Sequence, residues 1–163
     1  MPNLEVVLNP NHPQASVIGT ADWQTWFTKW ATLVELSGSP LDAYELSLTL
    51  TTDQDIAQLN QTYRQLDQPT DVLSFAALEA DFPLTPELLA SEPLYLGDII
   101  VSLDTAQQQA QEAGHSLAWE ILWLTTHGFL HLLGWDHPDD ASLIAMLAKQ
   151  TELLAAIGWK LQN

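Results

Sequence analysis

The chain has 163 residues, 47% of them hydrophobic, with no cysteine and 21 Asp and Glu against 4 Lys and Arg. That length and apolar content give one domain able to bury a core and exclude a disordered chain, while the missing cysteines exclude disulfides, thiolate zinc ligands, iron–sulfur clusters and a cysteine nucleophile. The formal charge of −17 repels polyanions, so broad electrostatic capture of nucleic acid is excluded and any phosphate chemistry must rest on a local positive centre.

The start, Met1-Pro-Asn-Leu-Glu-Val-Val-Leu, has neither a basic region nor a long apolar run, which predicts no signal peptide. Leu4–Leu8 reads as a short strand closed by Asn9-Pro10. From about Asp22 to Leu36 the apolar residues Trp23, Trp26, Phe27, Trp30, Leu33 and Val34 fall at steps of three and four, one helical face stopped by Ser37-Gly38-Ser39-Pro40. The three Trp belong to the core rather than to a ligand platform. Tyr44–Leu50 alternates as a half-buried strand. Thr52 or Asp53 caps the next helix, with Ile56, Leu59 and Tyr63 on its face. A turn cluster, Asp67 to Asp71, leads into a strand over Val72–Ala76.

The stretch 77–94 carries Pro83, Pro86 and Pro93 with a weak apolar pattern, and reads as an insertion or flexible lid. Leu96–Val101 is the next strand and Asp104–Glu112 a polar helix ended by Gly114. Leu117–Leu133 is a strongly apolar helix ended by Gly134, and Asp139–Ile157 a last amphipathic one. The apolar run from Ser116 to Trp135 contains Glu120, His127 and His131 and no flanking cation, so it predicts a helix buried in a soluble core and not a membrane span. These elements predict one α+β domain over 1–163, about four strands in a mixed sheet with about five helices, in a cytoplasmic protein.

Three of the five histidines lie in one short window, His127-Gly-Phe-Leu-His131-Leu-Leu-Gly134-Trp-Asp136-His137. His127 and His131 are one helical turn apart on one face, a spacing at which two imidazoles reach a single ion. Gly134 ends the helix, so the chain turns and His137 returns as a third ligand. Imidazoles without thiolates suit zinc, and three protein ligands leave an open position for water. A structural site needs a fourth ligand, for which Asp136, Asp139 and Asp140 are the near carboxylates. Isolated histidines such as His12 and His115 read as core residues. The spacing also matches the metzincin peptidases, but the Glu those enzymes carry after the first His is Gly128 here, which disfavours a protease.

Together with two upstream blocks, this motif resembles the YbeY family of bacterial endoribonucleases, or rRNA maturation factors. Leu59-Asn60-x-x-Tyr63-Arg64-x-x-Asp67-x-Pro69-Thr70-Asp71-Val72-Leu73-Ser74-Phe75 is similar to the family's arginine-bearing segment, and Leu96-Gly97-Asp98-Ile99 to its later strand. The resemblance implies one zinc ion per chain on His127, His131 and His137, a zincin-like α+β fold, and single-strand-specific cleavage that matures the 3′ end of 16S rRNA and serves ribosome quality control. It implies ribosomal RNA as partner, without DNA or membrane. Arg64 falls on the family's characteristic arginine; it is also the chain's only arginine, either a bidentate phosphate ligand or a structural partner of Asp67 or Asp71. Where the family often has Pro after Ser-Phe, this chain has Ala76.

The mechanism expected is metal-assisted phosphodiester cleavage, with Arg64 stabilising developing charge and Asp136 acting as base or as an acceptor that orients a ligand imidazole. Asp71 and Asp98 are weaker candidates for that part. The −17 charge further implies a substrate presented by the small ribosomal subunit or a protein partner. Two other readings compete: a non-catalytic assembly factor with structural zinc, and a metal-dependent hydrolase of small or peptide substrates.

Overall fold

Tyr44, Leu46, Leu48 and Leu50 alternate with more polar residues along β2 (Ala43–Thr51), and all four are buried. This period of two sets one face of β2 into the core. The computed structural model describes residues 1–77 and 84–159. Around β2 it places β1 (Asn3–Pro10), β3 (Val72–Ala76) and β4 (Leu94–Ser102) in a sheet ordered β1-β2-β4-β3. β1, β2 and β4 are parallel; β3 runs antiparallel to β4 at the sheet edge. The mixed four-stranded sheet expected from the sequence is therefore present.

The helices are α1 (Thr20–Leu33), α2 (Asp53–Arg64), α3 (Pro86–Ser91), α4 (Leu103–Ala113), α5 (Leu117–Leu132) and α6 (Asp140–Ala156). The described residues thus hold six helices, one more than expected. The extra one is α3, within the stretch read as a lid. Its N-cap Thr85 accepts from the Leu88 N–H and Pro86 stands at its first position, a start signal that the surrounding prolines mask. Residues 78–83 of that stretch lie outside the described residues. α1 stops three residues before the expected Leu36, because Glu35 takes a left-handed conformation and the Leu36 N–H closes back on the Ala31 carbonyl. Thr52, not Asp53, caps α2. Asp53 instead accepts from Ser102 Oγ (2.5 Å) and Thr105 Oγ1 (2.6 Å), tying α2 to the start of α4.

The main core lies on one sheet face. Trp23, Phe27 and Trp30 of α1 meet Phe129 of α5 there, with Phe27 edge-on to both Trp30 and Phe129, and Trp30 donates its indole proton to the Leu153 carbonyl at 2.8 Å. Trp26 is half-buried against Trp159, so all three Trp of α1 are packing residues, as expected. On the opposite face α2 packs Ile56 and Leu59 against Leu73, Phe75 and Ile100. β3 therefore serves both faces: Leu73 and Phe75 point to α2, Val72 and Ser74 to α5. It can lie this close to β4 because of Gly97, at φ 137°, where a Cβ would sit 2.2 Å from the Phe75 carbonyl oxygen. No helix of the described residues is long and apolar enough to cross a membrane.

Candidate metal centre

Ser116 caps α5 by accepting the Trp119 N–H at 3.1 Å, which sets where the helix begins. Counted from there, His127 and His131 share a face one turn apart, with ring centroids 4.5 Å apart and Nε2 atoms 3.0 Å apart. Gly134 adopts φ 94°, its N–H closes on the His131 carbonyl, and the Trp135 N–H closes on that of Leu130. The turn carries His137 back, its ring centroid 5.4 Å from His127 and 5.3 Å from His131. One nitrogen from each ring lies within 4.8 Å of the others. The structure brings the three expected ligands to one point.

The donor set fits a metal ion. Fully buried Gln150 of α6 donates from Nε2 to the Trp123 carbonyl, which orients its Oε1 toward His127 Nδ1 at 3.1 Å. His127 therefore carries its proton on Nδ1 and leaves the Nε2 lone pair facing the triad. Burial, reinforced by neighbouring histidines, holds the His127 and His131 imidazoles below the ordinary histidine value, so both are neutral lone-pair donors at neutral pH. Among the described residues no carboxylate joins this group. Three protein ligands are the arrangement of open, catalytic centres.

Gly128 shows why no Glu follows the first ligand. That position faces the sheet: a Cβ would lie 2.8 Å from Ile99 Cγ2 and 3.0 Å from Ser74 Oγ, and Ser74 donates to the Gly128 carbonyl at 3.0 Å. A peptidase-like general base has no room there. Gly128→Ala should destabilise the protein by about 1–3 kcal/mol through overpacking, less about 1 kcal/mol regained from helix propensity. Thermal melts of the metal-free variant would check this; an unchanged or higher melting temperature would mean α5 packs less closely.

A cleft of about 620 Å³ opens beside the triad, lined by His127, His131, Asp136 and, across the edge of β3, Arg64. Arg64 makes no salt bridge with Asp67 or Asp71. Its guanidinium lies 5.7 Å from the Phe75 ring centre and donates to the Ser74 carbonyl at 3.3 Å, and the side chain is exposed. Asp71 lines the cleft, but its carboxylate accepts from the Val72 N–H and from Gln109. Asp136 accepts the backbone N–H of His137 at 2.8 Å, so its contact with the third ligand runs through the main chain and not through the imidazole. Asp98 lies outside the cleft and accepts from Tyr95. His12 pairs with Asp104 at 2.9 Å and His115 stacks on Trp119, both away from the centre. Sequence reasoning missed Gln150 and Ser74. Gln150 had one faint signal, a polar residue on an otherwise apolar helix face.

An α+β layer carrying three histidines that could hold a metal ion, beside a cleft lined by an arginine, is the arrangement of a metal-dependent hydrolase. The sequence pattern of "Endoribonuclease YbeY" matches residues 9–158, and the chain belongs to that family. Relatives bearing this name include one from Trichormus variabilis, 56% identical over 146 residues (90% of this chain, 82% of the relative), and one from Nostoc sp., 57% identical over 143 residues (88% and 77%). The solution structure of TM1509 from Thermotoga maritima superposes with a TM-score of 0.56 at 24% identity, covering 94% of this chain and 88% of that one, and so supports the fold.

Proposed function

We infer that this protein is a zinc-dependent, single-strand-specific endoribonuclease of the cytoplasm, trimming the 3′ end of 16S rRNA on the small ribosomal subunit and contributing to ribosome quality control. The observation that carries this reading is the shared cleft, in which Arg64 and two members of the triad, His127 and His131, line one open space across the β3 edge. A phosphodiester is the group such a pair suits: a planar cationic fork at one end and neutral imidazole ligands at the other. His127, His131 and His137 hold the ion, and Gln150 fixes the proton of the first. When bound, the ion supplies Lewis acidity toward a phosphoryl oxygen and toward water.

Arg64 binds and orients the phosphate and offsets the charge that builds on it. The Ser74 carbonyl and Phe75 ring hold its guanidinium, and among the described residues no carboxylate forms a salt bridge with it. Asp136 is a positioning residue, locking the turn that presents His137. A structural zinc site in a non-catalytic assembly factor would call for a fourth protein ligand, and the described group has three. A peptidase reading meets the closed position at Gly128.

The test compares one RNA sequence as a naked single strand, as a duplex, and as the 3′ tail of immature small subunits. Cleavage should favour the single strand, proceed faster on the particle, stop on chelation and return with zinc. Equal cutting of duplex, or activity surviving complete metal removal, would overturn the reading.

A further inference from the structure

Beside the cleft lies a second groove of about 430 Å³, which shares the wall residues Ala76, Gly134 and Trp135 with it and is lined by Lys149. The described residues contain three basic side chains, Lys29, Arg64 and Lys149. In a chain with charge −17, two of the three line these adjoining cavities. Lys149 sits beside Gln150, whose contact with His127 anchors that part of α6. Its side chain is 20% exposed and its ammonium lies 3.1 Å from the Glu152 carboxylate. The remaining walls include Leu36, Leu133 and the half-buried Trp135, apolar surface suited to a sugar and base. Glu35 also lines the groove and opposes a second phosphate there.

We propose that this groove is a second nucleotide subsite, holding the residue next to the scissile phosphate, with Lys149 contacting one further phosphate and releasing Glu152 to do so. The inference rests on the reading of the centre as an RNA-cleaving site. The two cations then contact two phosphates of one strand, a local positive track on a molecule whose field otherwise repels RNA.

The test uses the full-length zinc-loaded protein and 2′-O-methyl oligouridylates of two and eight nucleotides, with binding measured by calorimetry across a salt series. Lys149→Gln, which keeps most of the stem, should weaken the longer oligonucleotide about three- to tenfold relative to the shorter, as loss of one charge-assisted contact does. It should also make the dependence of log affinity on log salt less steep by about 0.7. Glu152→Gln, which frees the ammonium, should strengthen the longer oligonucleotide. An equal loss at both lengths, or an unchanged salt slope, would overturn the subsite. So would reduced zinc content in Lys149→Gln, which would place its effect in the Gln150–His127 contact. Failure of the unsubstituted protein to bind either oligonucleotide would overturn the RNA reading itself, and the subsite with it.

Discussion

Replacing His131 by alanine should take the zinc content from about one ion per chain to near zero, because the two remaining imidazoles come from opposite sides of the Gly134 turn and lose the donor between them. The fold should survive, since the core of α5 is built from Ile121, Leu122, Phe129 and Leu130 and not from the triad. The decisive readout is thermal. At free zinc a hundred times the dissociation constant, the unsubstituted protein should gain about 2.7 kcal/mol. For a chain of this size that is a rise of roughly 5–10 °C in melting temperature. His131→Ala should show no rise. Gln150→Leu should fall between them, its zinc affinity lowered about 10–100-fold, as loss of an orienting partner does at other metal sites. Unchanged zinc in His131→Ala would show that the metal is held elsewhere.

Arg64→Ala should lower kcat for RNA cleavage about 10²–10³-fold, the scale of removing a preorganised donor from a developing anion. Zinc content should be unchanged. Stability should fall by no more than about 1 kcal/mol, since the exposed guanidinium forfeits one long hydrogen bond and one stacking contact. Arg64→Lys should recover the charge but not the fork, and so rescue only part of the rate. A loss of stability that tracks the loss of activity would assign Arg64 to packing instead. Among the described residues neither Asp67 nor Asp71 forms a salt bridge with the side chain, which favours the phosphate role over a structural ion pair.

The site was legible where local periodicity and chemistry coincide. His127 and His131 are bound to one face by the helix itself, and Gly134 marks the turn that returns His137, so the grouping of three candidate ligands could be read from eleven residues of sequence. The strands were legible because β2 and β3 alternate cleanly between faces. Features set by contacts between distant segments were not. Gln150 lies 23 residues from the imidazole it orients, and no spacing rule links them. The order β1-β2-β4-β3 places β3 at an edge although it precedes β4 in the chain, and Arg64 meets the α5 histidines in a cleft along that edge strand. α3 was hidden because a proline-rich composition reads as loop until a capping threonine and an N-terminal proline are recognised together.

Gln150 also gives the centre a place in time. The chain is made from its N-terminus, and β3, β4 and α5 can pack together once residue 132 is available. The first ligand is not oriented until residue 150 arrives, 23 positions beyond it. The lining of the cleft therefore precedes α6 in the chain, whereas the contact that orients its first histidine comes from α6. A nascent or truncated chain ending before that helix would carry all three histidines and yet lack the contact that orients the first of them.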